Sequence, residues 1–196
     1  MGGRGQRIGL RLSAMAALLA LAATAWAAKI TVPDVNGNKV SPLEGKARKA
    51  TVLLFITNDC PISNSYAPEF TRICKAYTAK KIAFYLVYAD TSLSAADAKK
   101  HTQDYGYTCL ALLDREHLLV KATGATITPE AAVLSTEGKL LYRGRIDDRY
   151  VDFGKARVQP TVRDLRDALD AIVQGKPVPH PTTKALGCTI PPLPQK

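Results

Sequence analysis

The sequence predicts an α/β layered fold: a central mixed β-sheet flanked by helices, with an N-terminal β-hairpin and an extended C-terminal tail. Three observations carry this. Strand-like and helix-like stretches alternate from residue 50 to residue 123, an order that belongs to layered α/β proteins. The turn Thr136-Glu137-Gly138-Lys139 then joins two more strands into a closing hairpin ahead of a last helix. Finally, six of the 21 residues from Lys176 to Lys196 are proline, a composition that keeps a chain extended.

The elements follow in order. Arg4, Arg7 and Arg11 precede the small, apolar run Leu12 to Ala25, and Ala25-Trp26-Ala27 has an A-x-A cleavage pattern. Residues 1–27 therefore read as a signal peptide. The run is shorter than the about 20 residues of a membrane span, so no stable span is expected after cleavage; an uncleaved anchor is the alternative. One domain is expected over 28–175, followed by a Pro-rich tail, 176–196, that carries Cys188. Ile30-Thr31-Val32 and Lys39-Val40 flank an Asn36-Gly37 pair, the mark of a hairpin turn. Leu43 to Lys49 is a basic connector, and 50–57 is a buried strand. From Pro61 to Lys80, Tyr66, Phe70, Ile73, Cys74 and Tyr77 recur at helical spacing. Ile82 to Ala89 reads as a second buried strand, and Ser94 to Tyr105 as a helix with a serine N-cap that ends before Gly106. A short strand, Cys109 to Leu113, and a short helix, Arg115 to Thr123, lead to Gly124. Thr126-Ile127-Thr128-Pro129 introduces the strand Ala131 to Ser135, which the turn connects to Leu140–Arg145. Val162, Leu165, Leu169, Ile172 and Val173 form the apolar stripe of the last helix.

The chain has 27 basic and 17 acidic residues, and the basic excess is dispersed. No basic helix interleaved with aromatics occurs, so nucleic-acid binding is not expected; the charge suits solubility or an acidic envelope surface. Four cysteines in an exported chain, periplasmic or secreted, permit disulfides, with three complete pairings.

Cys60 is the most informative residue. It follows the β-branched apolar run Thr51 to Thr57 and precedes Pro61, which suits the first helical position because its missing N–H would have no partner there. As N-cap, the cysteine meets unpaired N–H groups and the positive end of the helix dipole, which favour thiolate, the nucleophilic form. The plainer reading is a small buried hydrophobe, and the charge of Asp59 opposes thiolate formation. Cys74, on the apolar helix face, and Cys109, at a strand start, read as core residues. Cys188 lies in the tail, where apolar patterning does not explain it. A resolving role with Cys60 and a structural tie to Cys74 or Cys109 stand level. His101 and His117 read as solvent-facing helix residues, and His180 lies among prolines; none has metal-ligand spacing. Asp147 and Asp148 read as a turn with surface salt links.

The order of elements, with Asn58-Asp59-Cys60-Pro61 at the first strand–helix junction, Thr128-Pro129 before the hairpin, the stretch Gly144-Arg145-Ile146-Asp147-Asp148 and the late Gly187-Cys188, resembles the thioredoxin fold. More narrowly, it resembles the redoxin branch with the alkyl hydroperoxide reductase C/thiol-specific antioxidant (peroxiredoxin-like) family. The resemblance implies that Cys60 is the attacking cysteine and that Thr57 orients thiolate and peroxide. It also implies that Pro129 is the cis-proline beside the thiol, and that Arg143 or Arg145 is the cation beside the thiolate. There are departures. Leu53 stands where that family has proline, Ser63 where thioredoxins have their second cysteine, and Asn64 where copper carriers have theirs. The implied activity is an exported thiol–disulfide oxidoreductase or peroxiredoxin-like peroxidase, without a cofactor. It would act on protein thiols and disulfides or a small peroxide and be restored by a thiol reductant. The rival readings are a non-catalytic envelope copper carrier and a redoxin-like domain whose disulfides only hold the fold.

Overall fold

The computed structural model describes residues 29–45 and 47–195; the expected signal peptide lies outside the described residues. Its centre is a five-stranded sheet of order β5-β4-β3-β7-β8. Strands β3 (Ala50–Ile56), β4 (Ile82–Tyr88) and β5 (Leu110–Leu113) run parallel, whereas β7 (Glu130–Ser135) and β8 (Leu140–Gly144) are antiparallel to their neighbours. All seven residues of β3 are buried because the sheet is covered on both faces. Side chains alternate across a strand. Val52, Leu54 and Ile56 therefore join one core with Phe70, Ile73 and Leu169, and Leu53 and Phe55 join a second core with Leu119 and Ile190.

Both edges of this sheet are occupied. The hairpin of β1 (Val32–Pro33) and β2 (Lys39–Val40) lies against β5, where Val35 N–H donates to the Ala111 carbonyl at 3.1 Å. The Asp34 carboxylate ties its turn by accepting from Asn36 N–H, Asn38 N–H and the Asn38 side-chain amide. On the other side, Arg143 N–H donates to Pro181 O at 2.9 Å and Thr183 N–H to Arg143 O at 3.0 Å, laying the tail along β8. These contacts cover part of each edge, where an open ladder would otherwise invite another chain.

The helices depart from the sequence expectation for local reasons. The stretch expected as one helix divides into α1 (Pro61–Ser65) and α2 (Ala67–Thr78). Pro68 lacks the N–H that the Asn64 carbonyl would accept, so the ladder breaks at Tyr66. In α3 (Ala95–Asp104) the Ser94 hydroxyl accepts the Asp97 N–H at 3.0 Å, the cap its sequence predicts. α4 (Leu118–Thr123) starts late because His117 is left-handed, with φ 54°. The buried Asp114 carboxylate accepts the N–H groups of Leu118, Leu119 and Val120. α5 (Asp164–Val173) begins after Val162, which is exposed. Two short pairings complete the described residues. β6 (Ile127–Thr128) pairs with β11 (Cys188–Thr189), and β9 (Tyr150–Asp152) with β10 (Lys155–Ala156).

Several side chains expected at the surface or in the bare core are placed otherwise. Cys74 and Cys109 are joined as a disulfide that ties α2 to the start of β5. His101 and His117 are buried, because each finds polar partners inside: His101 bonds Tyr88 and Asn64, and His117 bonds the Ala89 carbonyl. Asp147 and Asp148 are buried too. Asp147 accepts from Tyr66 OH at 2.6 Å and Arg149 N–H at 2.9 Å.

Asp148 makes a testable case. Burial alone would raise its pKa, but bonds from the Thr161 hydroxyl and from the Val162 and Thr161 N–H groups, with Arg157 alongside, outweigh burial and hold it at about 2. A carboxyl depressed in the fold stabilises above its unfolded pKa of about 3.9. That contribution is lost as pH falls toward 2. Thermal melts between pH 5 and pH 2 are expected to show a steeper fall for the native protein than for Asp148→Asn, which starts less stable; parallel curves would remove Asp148 from the acid response.

Candidate active site

Strand β3 ends by delivering Thr57-Asn58-Asp59-Cys60 to the start of α1. Cys60 is the N-cap, extended at φ −85° and ψ 111°, with Pro61 next. Its sulfur is buried, 0% exposed, in the first core, and donates to the Thr128 carbonyl at 3.5 Å. That carbonyl is aimed at the sulfur by the cis Thr128–Pro129 peptide. Of the two features expected at this junction, the N-cap position and the cis-proline are both present; the cap has no side-chain bond to the helix N–H groups.

The tail supplies the second sulfur. In the β6–β11 register Cys188 lies opposite Thr128 and Thr189 opposite Ile127. Cys188 Sγ lies 2.7 Å from Cys60 Sγ, against about 2.05 Å for a covalent S–S bond. Two pins hold this approach. Upstream, the Thr183 hydroxyl bonds Tyr142 OH at 2.7 Å and accepts the Arg145 N–H at 3.1 Å. Downstream, Ile190 N–H donates to Thr126 O at 2.9 Å while its side chain enters the second core. Between them Gly187 passes so close to Thr128 that a Cβ there would meet its carbonyl oxygen at 2.0 Å. The tail therefore docks instead of merely running over the surface.

Burial, then the hydrogen bond to Cys60 and the charge nearby, push Cys188 up to about 12. At neutral pH Cys188 is therefore a protonated thiol beside the Cys60 sulfur. Beside the pair lies a cavity of about 140 Å³, walled by Thr57, Asp59, Asp90, Thr128, Cys188 and Pro191 among others.

The remaining candidates are placed differently. Thr57 lines the cavity, but its hydroxyl donates to Asp59 at 2.8 Å. Arg143 donates to the Gly124 carbonyl at 2.7 Å and lies 3.7 Å from Glu130. Arg145 is paired with Asp164 at 2.7 Å. Both guanidiniums thus have their hydrogen bonds away from Cys60. The residues that build the approach of the two sulfurs, Gly187, Thr128 and Ile190, were not singled out in the sequence as a site. Their signal in the sequence is the pair of motifs Thr128-Pro129 and Gly187-Cys188, which carry the family resemblance without showing that the two meet.

The profile of the AhpC/TSA family matches residues 24–143. The chain belongs to the AhpC/TSA family. No curated protein matches it. Among solved structures, an uncharacterized conserved protein from Geobacillus kaustophilus is 29% identical with a TM-score of 0.74, covering 85% of this chain and 90% of that one. A hypothetical protein from Sinorhizobium meliloti 1021 is 28% identical with a TM-score of 0.73, covering 84% and 91%. A secreted disulfide oxidoreductase of Mycobacterium tuberculosis, homologous to E. coli DsbE, is 17% identical with a TM-score of 0.51, covering 75% and 96%. The fold of this AhpC/TSA member is thioredoxin-like.

Gly187→Ala tests the docking. The added methyl cannot share space with the Thr128 carbonyl, so Cys188 is expected to move off Cys60 while the five-stranded sheet stays folded. Cys60–Cys188 disulfide formation under a mild oxidant should slow by about tenfold or more, since small misplacements cost this much in reactions that depend on approach. An unchanged rate in the folded variant would show that the close pass at Gly187 does not position the tail.

Proposed function

We propose that the protein is an exported thiol–disulfide oxidoreductase in which Cys60 attacks and Cys188 resolves, with residues 28–175 as the redox domain and 176–196 as a docking tail. The observation that carries this reading is the 2.7 Å approach of the two sulfurs beside cis-Pro129. Family membership supports it, and a secreted disulfide oxidoreductase shares the fold. Export rests on the leader sequence, and no helix among the described residues is long and apolar enough to cross a membrane.

The chemistry follows from the geometry. With the tail docked, Cys60 is closed off, so a substrate reaches it when the short Cys188–Thr189 strand swings out. The Cys60 thiolate then attacks one sulfur of a protein disulfide, forming a mixed disulfide and releasing the other sulfur as thiolate. On return, Cys188 gives up its proton and attacks Cys60 Sγ. The substrate sulfur that was bonded to Cys60 leaves and is protonated to the thiol, and a Cys60–Cys188 disulfide remains. The substrate has gained the two electrons that the protein has lost; a thiol reductant returns them. Pro129 holds the Thr128 carbonyl against the sulfur throughout.

A second reading, peroxiredoxin-like peroxidase, is favoured by the family and by the small cavity with Thr57 in its wall. There the Cys60 thiolate takes the terminal peroxide oxygen to give sulfenic acid and an alcohol, and Cys188 expels water as the disulfide forms. The engagement of Thr57 by Asp59, and of Arg143 and Arg145 by other acceptors, weighs toward disulfide exchange.

The test uses purified protein equilibrated in graded thiol–disulfide buffers, with cysteine pairs read by mass spectrometry. A reversible Cys60–Cys188 pair is expected, together with substrate-disulfide reduction that Cys60→Ser abolishes and Cys188→Ser arrests at a mixed disulfide on Cys60. Absence of that pair at every potential would overturn the resolving role. Peroxide turnover with a thiol reductant would favour the second reading, and stoichiometric metal retention dependent on Cys60 would favour the carrier.

A further inference from the structure

The loop that presents Cys60 is braced from behind by side chains that play no part in the exchange steps above. Asn64, one turn into α1, bonds to both sides of the cysteine. Its backbone N–H donates to the Cys60 carbonyl at 2.9 Å, and its side-chain amide donates to the Asn58 carbonyl at 2.8 Å. A carbonyl can only accept, so the Asn64 nitrogen faces Asn58 and its oxygen faces away. That oxygen lies 2.9 Å from His101 Nε2, so Nε2 carries the imidazole proton. Nδ1 is then bare, and it accepts from Tyr88 OH at 2.6 Å. The result is a one-directional relay, Tyr88 to His101 to Asn64 to the Asn58 carbonyl. It runs from the end of β4 through α3 to the turn holding Cys60.

We propose that His101 is a positioning residue for Cys60: it locks the Asn64 amide in the one orientation that braces the Thr57–Cys60 turn. This rests on the reading of Cys60 as the attacking thiol. The Tyr88–His101 part of the relay is buried. His101 is 6% exposed, and its ring lies 4.6 Å from that of Tyr105 and 5.8 Å from that of Tyr107. Burial lowers its pKa, with Asp104 opposing, which favours the neutral ring that the relay requires. A protonated ring would carry hydrogen on both nitrogens and take the acceptor from Tyr88. Rotation of the Asn64 amide would set its oxygen against the Asn58 carbonyl, two acceptors face to face. His101 therefore excludes that state.

The test compares His101→Phe and His101→Gln in a Cys188→Ala background, where Cys60 is the one thiol outside the Cys74–Cys109 disulfide. Alkylation of Cys60 is followed across pH. Phenylalanine keeps ring volume but has no donor; its variant should alkylate at least about tenfold more slowly, as misplaced groups do, with a displaced pH midpoint. Glutamine offers an amide N–H to the Asn64 oxygen and should restore most of the rate. Phe and Gln variants that fall together, or a folded Phe variant with the background's rate and midpoint, would overturn the inference, since a merely structural histidine moves stability and leaves the thiol's profile alone. Should His101→Phe not fold, Asn64→Asp decides. It sets a carboxylate against the Asn58 carbonyl and should show the same loss; an unchanged profile would overturn the inference. A background Cys60 no more reactive than free cysteine would overturn the reading of Cys60 itself, and this inference with it.

Discussion

The antiparallel pairing of Cys188–Thr189 with Ile127–Thr128 is the contact on which the site depends. It is only two residues long, yet it spans 60 positions of sequence and sets one sulfur on another. The cis peptide at Thr128–Pro129 makes the pairing useful, because it turns the same carbonyl toward Cys60 that the tail strand must pass. Sulfur, carbonyl and strand share one small volume, and Gly187 is the residue that leaves room for it.

The strength of that docking suits a part that opens. Each protein hydrogen bond contributes about 1 kcal/mol net, and burying an isoleucine side chain about 1.5–3 kcal/mol. The segment past Gly187 has a few such bonds and one buried apolar anchor, Ile190. A few kcal/mol is the scale of a local opening of the kind the proposed exchange requires. The upstream pin at Thr183 is tied into β8 and Tyr142, so the excursion has a fixed root and a short radius.

What the sequence made legible was local. The apolar run of β3, Pro61 behind Cys60 and the serine cap of α3 each depend on neighbours within a turn or a strand. The break at Tyr66 was written in the chain as Pro68, although the apolar periodicity continues through it and hides it. Burial of His101 was not legible, since its warrant is a phenol from β4 and an amide from α1. The same holds for Asp114, whose three N–H partners lie on the first turn of the helix that follows it. The Cys74–Cys109 bond joins residues that each read as ordinary core, and only the packing of α2 beside β5 sets them together. For Cys188 the residue type and its odd setting pointed to chemistry, but its partner was fixed by a glycine and a carbonyl 59 positions apart.

The disulfide of Cys74 and Cys109 also bears on how such a chain matures. Four thiols have three ways to pair off completely, and only one leaves the sulfurs at the strand–helix junction and in the tail to each other. Cys60 and Cys74 are close neighbours along the unfolded chain and meet by chance more often than either meets the tail. A bond between those two would therefore take Cys60 away from the tail. The sulfur tie between α2 and β5, once closed, withdraws Cys74 from that competition.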